Sequence, residues 1–342
     1  MKRENVMVAL ISFLLVIVFV TSCSKTEYNK LNHGGLYPLN VDGRYGYMDI
    51  DGKIIIEPIY DDAQMFSEGI AIIKIREKYG AIDISGKLIV SPQFDEMWSF
   101  SEGLASVYYE GKYGFIDKTG TMVIQPKYSL AFGFSGGFAK VMIGTLLEGK
   151  WGFIDKRGEY MITPQFNMVH DFSCGLAAVE KGDNWGYMDT FGEYYINPNI
   201  EDAKDFSEGL APVRIGAKWG YIDSMGIFII APQFDMAEEF SEGLAEVSIG
   251  KWPNSKTGFI DKEGKYVIFP QFKYAGNFSN GLALARKDDV SGFINKSGEF
   301  IIKVQFDDFY FWTGEIAKVE LGNQIQYINK EGKVIGIDKT SP

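Results

Sequence analysis

Two consecutive stretches, Trp151–Asn184 (WGFIDKRGEYMITPQFNMVHDFSCGLAAVEKGDN) and Trp185–Lys218 (WGYMDTFGEYYINPNIEDAKDFSEGLAPVRIGAK), have the same 34-residue length and match column by column. Variants of this unit fill nearly everything after residue 35. A unit this small cannot bury its own apolar faces, so neighbouring copies must stack into one continuous structure. Eight full units span residues 45–324 and open at Tyr45, Tyr79, Tyr113, Trp151, Trp185, Trp219, Thr257 and Ser291. Six have 34 residues, and those opening at Tyr113 and Trp219 have 38. The second half of a unit precedes them at 35–44, and the first half of another follows at 325–337.

Each column has a physical reading. The opening aromatic is followed by Gly46, Gly80, Gly114, Gly152, Gly186 or Gly220, where a missing side chain lets another backbone pack closely or supplies a bulge. The short strand ends at Asp49, Asp83, Asp117, Asp155, Asp189, Asp223 and Asp261, each with Gly three residues on. That is a type I turn signature, the carboxylate accepting from the turn's own amides. A second strand closes the hairpin, and Pro58, Pro92, Pro126, Pro164, Pro198, Pro232 and Pro270 follow. Proline lacks a ladder donor, so it is expected to end that strand. Aromatics at Phe66, Phe100, Phe134, Phe172, Phe206, Phe240 and Phe278 read as core, and the FSEG turn opens a third strand such as GLAPVRI. No segment has helical periodicity of helix length. The expectation is an all-β tandem array of about nine antiparallel, three-stranded units, with 35–342 as a single domain.

The WG or YG pair, the ID-x-x-G turn, the PQF and the FSEGLA-V run recur together at fixed offsets. In this the chain resembles the bacterial WG-repeat family over about nine-tenths of its length. Departures gather toward the C-terminus: Thr257 and Ser291 replace the aromatic, Ile325-Gln326 replaces the pair and Val304 replaces Pro. The resemblance implies a β-rich repeat protein, commonly exported and usually without assigned enzymatic activity; it supplies no ligand. Two architectures are open, a closed propeller-like ring and an open β superhelix. The half unit at each end favours the ring, with the two chain ends completing one composite unit. Nine units exceed the usual ~4–8 blades, and three strands per unit are few for a blade.

The N-terminus reads as a targeting segment. Lys2 and Arg3 precede an uncharged apolar run, Val6–Val20, of fifteen residues, short for a spanning helix and of signal-peptide proportions. Val20-Thr21-Ser22-Cys23 resembles the bacterial lipobox. That resemblance implies removal of residues 1–22, diacylation of Cys23 (palmitate-type lipid) as the mature N-terminus, and a polar tether over 23–34. An ordinary signal peptide or uncleaved anchor is the plainer alternative. Ser24 follows Cys23 where inner-membrane retention would show Asp, which by resemblance favours the outer membrane of a Gram-negative cell envelope.

Net charge is −11, with 34 basic and 45 acidic residues. This argues against nucleic acid, which needs clustered Lys and Arg, and against broad adhesion to anionic membrane; contact with membrane is expected through the lipid alone. Candidate chemistry reads as structural. The Asp column offers one carboxylate per unit, whereas calcium needs about six to eight oxygens. The adjacent acids Asp61-Asp62, Asp95-Glu96, Glu201-Asp202, Glu238-Glu239 and Asp307-Asp308 point different ways on an extended chain and read as solvated loop. His170 is the one histidine of the repeat region, with too few partners for a triad or zinc. Cys174 stands where sister units carry Glu68, Glu102, Glu208 and Glu242, as repeat drift would place it. No catalytic residue, metal ligand or cofactor site is expected. Recognition falls instead to loops in which the units differ: 95–99, 167–171, 307–311, and two four-residue insertions within 144–149 and 250–255. Aromatics dominate protein and sugar contacts, so Trp98, Trp252, Tyr310 and Trp312 are the candidate contacts, although Trp312 occupies a column that elsewhere reads as core. The expected role is a lipid-anchored, non-catalytic scaffold or binding module for another envelope protein or a peptide, with glycan or cell-wall binding as the alternative.

Overall fold

A computed structural model describes residues 35–288, 290–303 and 306–338. The signal segment, Cys23, the tether and Val304 lie outside the described residues. Those described are all-β, with no helix, and form nine small antiparallel sheets of a nine-bladed β-propeller. The closed form that the half units favoured is therefore the fold.

One sheet stands for the rest. Asp62–Ala63, Ile70–Ile75, Lys78–Asp83 and Leu88–Phe94 pair antiparallel in chain order. The blade thus has four strands where the sequence suggested three. In five sheets the extra strand is two residues long, too short to show alternation; in two more it is Leu130–Ser135 and Asp308–Trp312, and the sheets beginning at Tyr37 and Leu176 have three strands. Tyr79 pairs with Phe94 but Ala81 with Val90, so one residue on the inner strand faces three on the outer. The bulge carries Pro92, which lies inside the Leu88–Phe94 strand rather than ending it. An outermost strand tolerates proline because no further ladder needs the missing donor. Gly80 sits beneath the bulge: a Cβ there would come within 2.5 Å of the Val90 carbonyl oxygen and 2.8 Å of the Pro92 nitrogen. Glycine and proline, twelve residues apart in this unit, are two halves of one device.

The blades are offset from the sequence unit by half its length. Ile70–Ile75 ends the unit opening at Tyr45, while Lys78–Asp83 and Leu88–Phe94 begin the next. A tight hairpin joins them across the unit boundary, and pairing with the nearest chain costs the least loop entropy. Consequently neither half unit is composite. The leading one forms a sheet with Arg44–Met48 and Ile54–Tyr60, and the trailing one completes the sheet with Asp308–Trp312 and Ile316–Leu321.

By density of contacts the described residues divide into two compact units, Asn167–Phe278 and a second comprising residues 35–166 with those from Ser279 onward. In each, neighbouring sheets lock by the same three contacts. The ring after the WG glycine meets the FSEG phenylalanine of the next sheet, as in Tyr187–Phe206 at 4.8 Å and Phe115–Phe134 at 5.1 Å between centroids. Such edge-on aromatic pairs contribute about 0.5–1.5 kcal/mol beyond their burial. The FSEG serine hydroxyl donates to the next phenylalanine carbonyl (Ser207 to Phe240, 2.7 Å; Ser67 to Phe100, 2.8 Å). The FSEG glutamate, held at φ near 53°, accepts from a glycine amide and a lysine of the following sheet: Glu208 from Gly243 and Lys262, Glu68 from Gly103 and Lys118.

The second unit contains both ends of the described residues, and there the first and last sheets meet. Tyr37, Leu39 and Met48 share a buried cluster with Ile316 and Tyr327. The Asn40 amide donates to Asp338 Oδ1 at 2.9 Å, and Lys318 Nζ reaches Asp338 Oδ2 at 2.9 Å with both side chains largely out of solvent. Gly336 stands where other sheets present Ile56, Val90 or Ile124, and the Gly52 turn comes so close that a Cβ would lie 1.8 Å from the Ile335 carbonyl oxygen. The ring is closed by a side-chain clasp in place of a shared sheet.

Candidate functional site

Most polar columns are consumed by the frame. In every D-x-x-G turn the Asp or Asn Oδ1 accepts from the amides two and four residues on; Asp83 takes Ser85 at 2.9 Å and Lys87 at 3.1 Å, and Asn329 takes Glu331 and Lys333 in the same way. The Ser85 hydroxyl foremost, with these amides, holds the Asp83 carboxyl below its usual range. The recurring acids after the PQF are more than solvated loop. In three of the pairs the first carboxylate clamps the hairpin across the unit boundary: Asp61 accepts from the Arg76 amide at 2.7 Å, Glu201 from Gly216 at 2.8 Å, and Asp307 from Gly322 at 2.7 Å. Reach across a strand pair was invisible in a linear spacing, which is why the sequence undervalued them.

His170 bridges two neighbouring sheets through Nδ1, 3.0 Å from Asp205 Oδ1, with its ring edge-on to Trp185. Cys174 adopts the same left-handed backbone (φ 56°) as the glutamates of its column. Among the described residues, Glu246 is the one carboxyl pushed up strongly, to about 8, first by burial and then by the negative charge of Glu238, with Lys204 opposing. Lys204 pairs with Glu238 at 2.5 Å, so this cluster reads as an internal charge network.

The candidate contact residues fall in different settings. Trp98 is 47% exposed and its ring lies 5.9 Å from Phe132, which in turn lies 5.7 Å from Trp151. Lys140 Nζ sits 4.8 Å over the Phe132 ring, within cation–π range. At the border of this strip the Tyr113 hydroxyl donates to the Glu96 carboxylate. Tyr310 is equally exposed, but its hydroxyl is held by Glu320 at 2.6 Å, and Lys318 lies 5.8 Å from its ring. Trp312 serves the frame. Its ring packs 4.6 Å from Phe293 as the column's phenylalanines do, and Nε1 donates to the Ser279 carbonyl at 3.1 Å. Trp252, 88% exposed, stands at the tip of an inserted hairpin.

Sequence reasoning found Trp98 but missed Phe132, Trp151 and Lys140 beside it. The signal was present. Trp98 and Phe132 occupy a column that elsewhere holds Gln64, His170, Lys204 and Glu238, and Lys140 replaces Ile72, Ser106, Ala178 and Pro212. Two large rings and a lysine at positions the frame does not require form a half-exposed aromatic strip within one compact unit.

Comparison with known proteins agrees with the architecture. A search among curated proteins finds no significant match. Among solved structures, the crystal structure of the eukaryotic initiation factor superposes with a TM-score of 0.62 at 11% identity, over 89% of this chain and 95% of that one. Hsv2p of Kluyveromyces lactis is similar at 8% identity and a TM-score of 0.44, over 70% and 94% of the two chains, too distant to carry an argument. Likeness at such identity speaks for the fold alone. The WG containing repeat model matches residues 45–79, 79–113, 113–145, 151–185, 185–219, 219–251, 258–290 and 292–324. With eight copies covering most of its length, this chain belongs to the WG containing repeat family.

Proposed function

We propose that the protein is a lipid-anchored, non-catalytic binding module of the cell envelope that engages another protein or a peptide. The observation that carries this is the strip Trp98–Phe132–Trp151 with Lys140 over its central ring. A repeat frame needs none of Trp98, Phe132 or Lys140, since sister units fold with other residues there. Large rings that keep apolar area partly in water, beside a cation and the nearby Glu96, match the composition of protein contact hot spots. The anchor rests on the Val20–Cys23 lipobox resemblance, and the outer membrane on Ser24.

The test is capture from an envelope extract by the wild-type chain against Trp98→Ala and Phe132→Ala, followed by titration of the captured partner. Loss of a hot-spot ring typically costs ~2 kcal/mol or more, so Kd should weaken about thirty-fold. Unchanged affinity in both variants would refute the assignment of the face. Binding of purified glycans with the same sensitivity to Trp98→Ala would favour carbohydrate, since stacking on flat rings serves both.

A further inference from the structure

We infer that the outer rim formed by 191–195, 225–229 and 263–265 is a self-association surface, at which two copies of this chain pair about a two-fold axis. The inference uses neither the Trp98 strip nor the anchor, and every residue in it belongs to the compact unit Asn167–Phe278. Two columns of the repeat carry it. Two residues after the turn aspartate or asparagine, seven of the nine copies are polar, Asp51, Arg157 and Glu331 among them, while Phe191 and Met225 are apolar. Four residues after it, eight copies have a charged residue or threonine, such as Lys53, Glu159 and Lys333, and Ile227 alone is apolar. The three departures fall in consecutive copies and stand in water: Phe191 is 83% exposed, Met225 62% and Ile227 54%.

Contacts within the unit set these residues side by side. The strands Tyr194–Ile200, Phe228–Phe234 and Tyr266–Phe272 are each the outermost of a sheet. The Gly226 turn rests on the first of them, where a Cβ would meet Ile196 at 3.5 Å, and the Gly264 turn rests on the second, where a Cβ would meet Ile230 at 3.0 Å. The turn that presents Met225 and Ile227 is fixed, since both amides donate to Asp223 Oδ1 at 2.9 Å. An outermost strand with apolar side chains in water is a template for another chain, and natural sheets blunt it with charge, lysine above all. Sister copies keep a polar or charged side chain at the Ile227 position, and this copy does not.

Charge complementarity identifies the occupant as a second copy. In the two neighbouring sheets the Ile227 position is held by Glu193 and Lys265, both exposed. The rim therefore reads acid, apolar, base across three successive sheets. A two-fold axis along the middle strand exchanges the flanks, so Glu193 of each copy meets Lys265 of the other while Ile227 meets its own counterpart. The same operation sets Phe191 against Glu263, whose carboxylate suits the positive edge of the ring. A rim of one sign, or one with lysine at its centre, would repel its own copy. Phe191, Met225, Ile227, Phe228 and Ile229 supply the apolar area. Five such side chains make an interface at the small end of the specific range, below ~1,200 Å² in total, and so a weak dimer with Kd on the order of 10–100 μM.

The test is sedimentation equilibrium of the full chain, in a non-ionic detergent matched in density to the solvent, across ~1 μM to ~500 μM. The wild type should pass from monomer to dimer over that range. Ile227→Lys installs the residue that sister copies carry as Lys53, Lys87 and Lys333, so the fold should hold and the dimer should weaken at least about ten-fold. Glu193→Lys alone and Lys265→Glu alone should each weaken it as well, because each sets like charges opposite one another. The two swaps combined in one chain should restore the wild-type Kd, an outcome that a merely structural effect of either swap would not produce. Urea midpoints equal to that of the wild type establish that each variant is folded. A wild type that stays monomeric at ~500 μM overturns the inference. So does a dimer indifferent to Ile227→Lys, which would use another face, and so does failure of the double swap to restore association.

Discussion

Replacing Gly80 by alanine tests the central reading of the unit, that WG and the later proline form one bulge. Gly80 has an ordinary φ, so alanine there suffers no intrinsic backbone strain, and the whole penalty is contact. The new Cβ would stand 2.5 Å from Val90 O, 2.8 Å from Pro92 N and 3.0 Å from Pro92 Cα, all backbone, so no rotamer can relieve it. The Leu88–Phe94 strand must lift by most of an ångström relative to an ordinary contact. Overpacking of this kind costs about 1–3 kcal/mol, and loosening one or two ladder hydrogen bonds adds about 1 kcal/mol each. The expected loss is therefore about 2–5 kcal/mol. Gly111→Ala is the control: its φ is +83° and nothing lies within 4 Å of the added carbon, so it should lose only the left-handed backbone term, about 1–2 kcal/mol. Urea unfolding followed by tryptophan fluorescence and near-UV circular dichroism gives both values. If Gly80→Ala is no more destabilising than Gly111→Ala, the bulge is not what the WG glycine is for.

Asp338→Ala should cost more than loss of any one turn aspartate, on the order of 3–5 kcal/mol, because it leaves the largely buried Lys318 unpaired and the Asn40 amide without its acceptor; limited proteolysis should then cut first near the two chain ends, and an unchanged pattern would argue against the clasp. Glu246→Gln should make stability less dependent on pH. The carboxyl is raised in the fold from 4.5 to about 8, so the wild type is fully stabilised below its unfolded pKa and loses stability as pH rises through that window, by up to about 1.4 kcal/mol per pH unit. The variant should match the wild type near pH 4 and exceed it at pH 8, and a difference constant with pH would refute the buried-acid reading. Cys23→Ser should abolish fatty-acid labelling and release the chain from the membrane fraction; a variant that still labels would sink the anchor.

Repetition at a fixed period determined that this protein is an all-β array with about nine units, because only stacking can bury such small sheets and each column's turn or core role repeats. The turn aspartates, the core phenylalanines and the close approach at the WG glycine were legible for that reason. The sequence also singled out Trp98 and Trp252 as residues the frame does not need. What it could not determine was how units divide into blades, since hairpin pairing ignores the boundary at which a pattern happens to begin. The two-residue first strand was hidden because alternation needs several residues to show. The acids after the PQF became hairpin clamps, Lys318 and Asp338 became the clasp between the chain ends, and Phe132, Trp151 and Lys140 joined Trp98 in one strip. Each depends on residues far apart along the chain meeting across sheets, and distance through space is set by tertiary packing, which no local pattern of side chains encodes.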